Sequence, residues 1–141
     1  MKILSATTLA LLAFSGLALA GPATDSAQNR FNSIATGDIN SILTQYQDSA
    51  TLQWLGGPLD GTYSGRDSLS TVWSKFSKAQ GQMKVEVKNL VEHANPKGST
   101  VTADVFFAGK KTVPVHYVLS YREGKLVNEI WQVSPSLAKN P

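Results

Sequence analysis

The segment 51-TLQWLGGPLDGTYSGRDSL-69 joins two kinds of hydrophobic pattern. At its start, and in the residues just before it, every second position is apolar, which predicts a strand over residues 49–55 with Trp54 near its end. The residues after it carry an apolar face at helical spacing, formed by Leu69, Val72, Trp73 and Phe76. The four glycines between them match neither G-x-G-x-x-G nor G-x-x-x-x-G-K-[ST], the patterns of phosphate-binding loops. We therefore interpret the segment as a turn from a strand into a helix.

The flanking sequence extends this pattern in both directions. Before residue 49, two short helices are predicted, joined at Thr36-Gly37-Asp38 with Asp38 as an N-cap. Beyond Gly81 the apolar period changes to two, which predicts four long strands, the last from Lys125 to Val133. The order predicts an α+β fold in which a curved antiparallel sheet packs against about three N-terminal helices. A sheet that curls over helices forms a cone, and its open end is a natural small-molecule pocket.

Residues 1–20 have the features of a secretory signal peptide. Lys2 precedes an uncharged apolar run, and Ala18-Leu19-Ala20 fits the small-x-small cleavage pattern. We expect residues 21–141 to form a single exported domain, periplasmic or secreted, with no membrane attachment after cleavage. Removal of Lys2 leaves 12 Lys and Arg against 10 Asp and Glu, a net charge of +2.

Composition excludes several kinds of function. The chain has no cysteine, which excludes thiol catalysis, cysteine zinc sites and iron–sulfur clusters. Basic residues are scattered rather than clustered, so we expect no nucleic-acid partner. His93 and His116 are the only histidines, and two isolated histidines do not supply the converging ligands of a zinc site. We expect neither a metal nor a cofactor.

Four short motifs carry a resemblance to a known family. They are ATGDI at 35–39, DSATLQW at 48–54, G-x-Y-x-G-x-D at 61–67 and EGKLVNEIWQV at 123–133. In their order and spacing they resemble the NTF2-like superfamily, and within it the SnoaL-like exported domains. The resemblance implies a cone-shaped α+β barrel and commonly a homodimer through the outer sheet face. Here that face would present Asp104, Phe106, His116 and Val118.

The superfamily includes ketosteroid isomerases, whose site uses an aspartate base and an oxyanion hole of a tyrosine and a protonated aspartate. The resemblance places Trp54 at the position of the base and Tyr117 at that of the oxyanion aspartate. The oxyanion tyrosine falls near Arg30 or Phe31. Because none of these positions keeps its residue type, we expect no ketosteroid-isomerase-type catalytic carboxylates.

Strand alternation predicts which side chains point into the cone. If Trp54 is inward, Val127, Glu129, Trp131 and Val133 of the last strand are inward as well. The predicted ligand-binding residues are Trp54, Tyr63, Trp73, Phe76, Phe107, Tyr117 and Trp131. They would bind a small hydrophobic or aromatic molecule, although the same rings could simply fill the core.

Glu129 is the one predicted carboxylate among these rings. A buried carboxylate suits a general acid or base, so Glu129 and Tyr117 are candidate catalytic residues of a cyclase, isomerase or dehydratase. The structural alternative pairs Glu129 with Arg122, Arg66 or a tryptophan N–H. Asp60 and Tyr63 are expected at the pocket mouth, where Asp60-Gly61 also forms a turn.

Overall fold

The computed structural model of the chain describes residues 21–139. The predicted signal peptide, residues 1–20, lies outside the described part. The helices are α1 (Pro22–Thr36), α2 (Ile39–Thr44) and α3 (Arg66–Gln80), followed at the end by a 3₁₀ helix (Pro135–Lys139). The strands are β1 (Tyr46–Leu55), β2 (Gly61–Ser64), β3 (Lys84–Asn95), β4 (Gly98–Ala108), β5 (Thr112–Arg122) and β6 (Lys125–Val133).

The strands form one curved, unclosed sheet in the order β2-β1-β6-β5-β4-β3. All neighbours are antiparallel except β1 and β6, which run parallel. The predicted α+β cone is confirmed. The sequence prediction lacked β2, which the glycine-rich segment itself supplies by pairing Gly61–Ser64 with β1. The first strand also begins earlier than predicted, at Tyr46.

The joint between α1 and α2 forms as its residues predict. Gly37 adopts φ 71°, the left-handed conformation that favours glycine, and its N–H donates to the Ile34 carbonyl. Asp38 then caps α2, because its carboxylate accepts a hydrogen bond from the Ser41 N–H at 3.1 Å. This tight turn places both helices over the concave face of the sheet.

A carboxylate from the sheet holds the other end of α1. Glu92 of β3 accepts hydrogen bonds from the Thr24 backbone N–H and hydroxyl, each at 2.8 Å. Free N–H groups and the partial positive charge of a helix N-terminus both favour an anion there. Glu92 therefore attaches the N-terminal end of α1 to β3.

The inward side of β6 differs from the strand prediction at one position. Glu129 and Trp131 are fully buried, as predicted, but Val127 is only half-buried and Leu126 is fully buried instead. Tyr121 and Ser120 of β5 face Leu126 and Asn128, so Val127 is an extra residue in the ladder. This β-bulge reverses the alternation before Asn128, and the prediction of an inward Val127 was wrong.

Candidate functional site

Six aromatic side chains meet inside the cone, and we call them the aromatic cluster. Trp131 lies at its centre, with ring centroids 4.6 Å from Trp54 and 5.0 Å from Phe107. Its other neighbours, at 5.2–5.3 Å, are Trp73, Phe76 and Tyr117. No member of the cluster is more than 5% exposed. These separations are typical of favourable ring pairs, so the rings fill the space between α3 and the sheet.

Trp131 brings an unpaired donor into this cluster. Its side chain is fully buried, and its indole N–H has no hydrogen-bond partner among the described residues. Trp73, by contrast, donates its N–H to the Tyr46 hydroxyl at 2.8 Å. A buried donor without an acceptor costs about 1–3 kcal/mol. The cluster therefore has one buried hydrogen-bond donor without an acceptor at its centre.

A buried ion pair lies beside the aromatic cluster. Arg30 of α1 donates to Glu129 of β6 through Nε at 2.9 Å and through Nη2 at 3.0 Å. The hydroxyls of Tyr46 and Tyr117 donate to the two oxygens of the same carboxylate. Arg30 and Glu129 are both fully buried. We call these four residues the ion-pair cluster.

Both N–H groups of Arg30 Nη1 are paired as well. Its Nη1 donates to the Ile42 carbonyl at 3.2 Å and to the Gln45 side-chain oxygen at 2.7 Å. Its guanidinium also lies over the Tyr46 ring, 4.4 Å from the centroid, where a cation–π contact is favourable. Each of the three guanidinium nitrogens of Arg30 thus donates at least one hydrogen bond to the protein.

The environment stabilises charged Arg30 and neutral tyrosines. Burial, the largest single effect, would lower the pKa of Arg30, but Glu129, Tyr117 and Tyr46 together outweigh it and hold that pKa well above its ordinary value. Burial, followed by the Glu129 charge, raises the pKa of Tyr117 and of Tyr46 well above the usual value of tyrosine. Both hydroxyls therefore stay protonated and act as donors at neutral pH.

Comparison with known proteins finds similarity in structure alone. Neither a protein-family model nor a curated protein sequence matches the chain. An NTF2-like protein of unknown function from Cytophaga hutchinsonii is similar with a TM-score of 0.59 and 13% identity, covering 81% of this chain and 91% of that one. An NTF2-like protein of unknown function from Pseudomonas putida has a TM-score of 0.61 and 16% identity, covering 78% and 85%.

A third similar structure has a different description. It is a putative calcium/calmodulin-dependent protein kinase II association domain from Xanthomonas campestris, with a TM-score of 0.65 and 15% identity. It covers 83% of this chain and 91% of its own. The chain has the NTF2-like fold. At these identities the similarity establishes the fold, which is capable of ligand binding, and leaves the activity to the residues of the site.

Within this NTF2-like cone, six of the seven predicted ligand-binding residues come together as the aromatic cluster. Trp54, which the resemblance to the isomerases places where their base lies, is a ring that is 3% exposed. Tyr63 lies on the edge strand β2, partly buried, and its hydroxyl donates to the Leu59 carbonyl at 2.6 Å. Asp60 accepts from the Gly56 N–H at 2.8 Å, which is the turn role of that residue.

The partner of Glu129 was missed by the sequence analysis. Arg122 and Arg66 are exposed, and Arg30 pairs with the carboxylate instead. The signal was present in α1, where Arg30 occupies the same helical face as the buried Ala27, Phe31 and Ile34. A charged residue inside an apolar helical face indicates a buried partner.

The two histidines of the chain lie apart from the interior of the cone. His116 lies on the outer sheet face, with Nδ1 2.8 Å from Asp104 Oδ1. Its hydrogen bond lowers the pKa of Asp104. His93 is exposed near the end of β3. Within residues 21–139, no group of three or more potential ligands is placed to hold a metal ion. Every helix in the same range is too short or too polar to span a bilayer.

Proposed function

We propose that this domain binds a small aromatic molecule that carries one hydrogen-bond acceptor, and that the aromatic cluster is the site. The observation that carries the proposal is the unpaired indole N–H of Trp131 at the centre of six rings. An acceptor on the ligand would satisfy this donor, while the ligand ring would replace ring contacts already present in the cluster. The binding is non-covalent and needs no catalytic carboxylate.

Entry of a ligand requires the cluster to open at one side. Trp54 is the cluster member at the end of β1, next to the glycine-rich segment. Gly56 and Gly57 follow it with φ of 105° and 77°, conformations that glycine adopts without strain. Trp54 is paired in register with Gly61 of β2 and Trp131 of β6, so opening at these two glycines would release the short edge strand β2 together with the end of β1. The seven predicted ligand-binding residues, including Tyr63 on the adjoining strand, then surround the opening.

The signal-like residues 1–20 support a periplasmic or secreted location for this binding. An exported domain meets its ligand outside the cytoplasm. Native mass spectrometry of protein purified from its own culture would detect a bound small molecule as added mass, and mass spectrometry after denaturation would identify the molecule released.

Tryptophan fluorescence tests the proposed site, because all three tryptophans of the chain belong to the cluster. We expect 2-acetylnaphthalene to quench the emission saturably and to bind more tightly than 2-ethylnaphthalene, which has no acceptor. The Trp131→Phe variant keeps a ring and removes the donor. It should reduce the preference for the acetyl compound by about tenfold, the value of one hydrogen bond.

The matched control is Trp73→Phe, which removes an indole N–H that already has a partner. It should leave the preference for the acetyl compound unchanged. Absence of saturable quenching by either naphthalene, together with no small molecule in native mass spectra, would contradict the proposal.

The contacts of Glu129 favour a structural role over the cyclase, isomerase or dehydratase alternative. Its carboxylate accepts four hydrogen bonds, two from Arg30 and one each from Tyr46 and Tyr117. A general base needs a lone pair directed at the substrate proton. Tyr117, the candidate oxyanion donor, donates its hydroxyl hydrogen bond to Glu129. Both candidate catalytic groups are therefore engaged with each other.

A further inference from the structure

The N-cap of α1 lies directly against a carboxylate of the sheet. Gly21 is the N-cap residue, with φ −102° and ψ 168°, and its carbonyl accepts from the Asp25 N–H at 3.2 Å. This extended backbone suits any residue, but a Cβ on Gly21 would lie only 2.6 Å from the carboxyl carbon of Glu92. Carbon atoms that are not bonded to each other pack at about 3.5–4.0 Å. The lack of a side chain at position 21 therefore lets Glu92 approach the backbone.

The two oxygens of the Glu92 carboxylate are used unequally. Oε1 accepts both hydrogen bonds from Thr24, one from the backbone N–H and one from the hydroxyl, each at 2.8 Å. Oε2 accepts no hydrogen bond from residues 21–139, and no lysine, arginine or histidine in that range lies within 4.0 Å of either oxygen. A carboxylate with one free oxygen can accept a further donor, and a cationic donor gives the strongest hydrogen bond.

The backbone nitrogen of Gly21 lies within reach of this free oxygen. A Cβ on Gly21 would be 2.5 Å from Glu92 Oε1 and nearer still to Oε2. Because a Cβ and the backbone nitrogen are bonded to the same Cα, the Gly21 nitrogen lies within about 5 Å of both oxygens. A small rotation of the Glu92 side chain, or of the first residue of the chain, closes the remaining distance to a hydrogen bond.

Removal of the signal peptide would change the chemistry of this nitrogen. In the precursor it belongs to the Ala20–Gly21 peptide bond and is a neutral amide with a single N–H. Hydrolysis of that bond by a signal peptidase adds one water molecule, which leaves a carboxylate on Ala20 and an ammonium group on Gly21. An α-amino group is mostly protonated at pH 7. Processing thus replaces one neutral donor beside Glu92 with a cation that carries three N–H groups.

We propose that removal of residues 1–20 creates an ion pair between the Gly21 ammonium and Glu92 Oε2, which attaches α1 to β3 more firmly in the mature protein than in its precursor. Without Glu92 a positive charge at this position would be unfavourable, because a helix N-terminus already carries partial positive charge. Glu92 therefore serves both Thr24 and the new chain end. The inference rests on the expected cleavage after Ala20 and is independent of the proposed aromatic site.

Removal of the terminal charge tests this ion pair. The full chain is exported with its own signal peptide, and the intact mass of the product should give Gly21 as its first residue. Transamination of that glycine with pyridoxal phosphate replaces the ammonium with a neutral carbonyl group and leaves the lysines unchanged. At pH 7 and low salt we expect this change to lower the Tm by about 2–4 °C, the effect of one partly exposed ion pair in a domain of this size.

Three variants show whether Glu92 is the partner of the terminal ammonium. Glu92→Gln keeps an acceptor for Thr24 and removes the charge, so transamination of this variant should leave its Tm unchanged or raise it. Glu86→Gln removes an exposed carboxylate from the same strand and should respond to transamination as the wild type does. Trp131→Phe should also respond as the wild type does, which distinguishes a failure here from a failure of the aromatic site.

A fourth variant tests why position 21 is a glycine. In Gly21→Ala the added methyl group would displace the Glu92 carboxylate, so transamination should lower the Tm by less than in the wild type. A mature protein that begins at a residue other than Gly21 would overturn the proposal. So would a wild-type Tm that does not fall on transamination, or an equal fall in Glu92→Gln.

Discussion

Arg30 and Glu129 form a bidentate, fully buried ion pair that joins the middle of α1 to β6, with Nε–Oε2 and Nη2–Oε1 distances of 2.9 and 3.0 Å. The two residues are 99 positions apart in the chain. Removing two charges from water is expensive, and such a pair is tolerated only when its remaining hydrogen-bonding groups are satisfied. Here Tyr46, Tyr117 and Gln45 supply those partners. The helix layer and the sheet are therefore held in one relative position.

Loss of one partner from this pair should be more costly than loss of both. Arg30→Met leaves Glu129 buried without its counter-charge, and we expect the free energy of unfolding to fall by about 3–5 kcal/mol. The double variant Arg30→Met with Glu129→Leu should regain much of that loss, since no charge stays buried. Urea denaturation of the wild type, both single variants and the double variant measures the coupling.

The surface pair of Lys88 and Glu86 is the matched control. Their closest charged atoms are 3.7 Å apart, and both side chains are exposed. Glu86→Gln should change the free energy of unfolding by less than about 1 kcal/mol. An Arg30→Met variant as stable as this control would show that the buried pair is not needed.

The domain should lose stability steeply in alkali. Burial, with the Glu129 charge, raises the pKa of Tyr46 and of Tyr117 in the folded state, and burial raises that of Tyr121. Above pH 10, the usual pKa of tyrosine, the unfolded chain therefore releases protons that the folded chain retains. Below pH 10 these tyrosines leave the free energy of unfolding unchanged. Above pH 10, each of them should lower it by up to about 1.4 kcal/mol per pH unit.

Absorbance of tyrosinate at alkaline pH, recorded with circular dichroism, measures this effect. Ionisation of the three buried tyrosines should coincide with loss of the fold. Tyr121→Phe should be nearly neutral at pH 7, because that hydroxyl has no hydrogen-bond partner within residues 21–139, and should make the alkaline slope shallower. Tyr117→Phe should already be destabilised at pH 7 through loss of its bond to Glu129. Equal stability of these two variants at neutral pH would be inconsistent with the hydrogen bonds described.

Local patterns were sufficient to predict most of the fold. The apolar face of α3, the alternation in β4 and β5, and the Gly37-Asp38 joint each act within one element, and all three are confirmed. The aromatic cluster also followed from alternation, because Trp54 and Trp131 lie directly opposite each other on parallel strands. What could not be predicted was how fully the rings occupy the cone. The filling of the cone depends on side-chain packing between elements and not on the spacing of apolar residues along the sequence.

The two errors at the site have related causes. The pairing of Arg30 with Glu129 depends on the angle at which α1 crosses the sheet, and strand parity carries no information on it. The bulge at Val127 adds one residue to β6 without any glycine or proline to indicate it. Alternation predicted correctly from Glu129 onward, where pairing with β5 is regular, and failed before Asn128, where the register shifts.

The bulge can be tested by comparing two neighbouring apolar residues. Leu126 is fully buried, whereas Val127 is half-buried at the surface of the sheet. Leu126→Ala should lower the free energy of unfolding by about 2–5 kcal/mol, as for other buried leucines. Val127→Ala should cost less than about 1 kcal/mol, since it leaves no cavity. Thermal or urea unfolding of both variants is the measurement. A larger loss for Val127→Ala than for Leu126→Ala would show that Val127 points inward, as regular alternation predicts.

We propose that the protein forms a homodimer through the outer face of the sheet. The centre of that face is where a substitution would test the proposal. The 3₁₀ helix packs against β5 at one end, where Ser134 donates its N–H to the Pro114 carbonyl at 2.8 Å. Phe106 is covered in part by the Lys88 ammonium, 5.4 Å from its ring centroid. This leaves Val118 and its cross-strand partner Ile130 as the partly exposed apolar centre of the face.

A carboxylate at this centre should separate the two copies. Val118→Glu would bury two like charges near the axis of a symmetric interface, which disfavours association strongly. Sedimentation velocity should show a concentration-dependent dimer for the wild type and a monomer for Val118→Glu, with unchanged circular dichroism. Lys97→Glu, in a turn outside this face, should still dimerise. A wild-type chain that stays monomeric at high concentration would remove the basis for this interface, and the apolar pair Val118 and Ile130 would then be an ordinary solvent-facing part of the sheet.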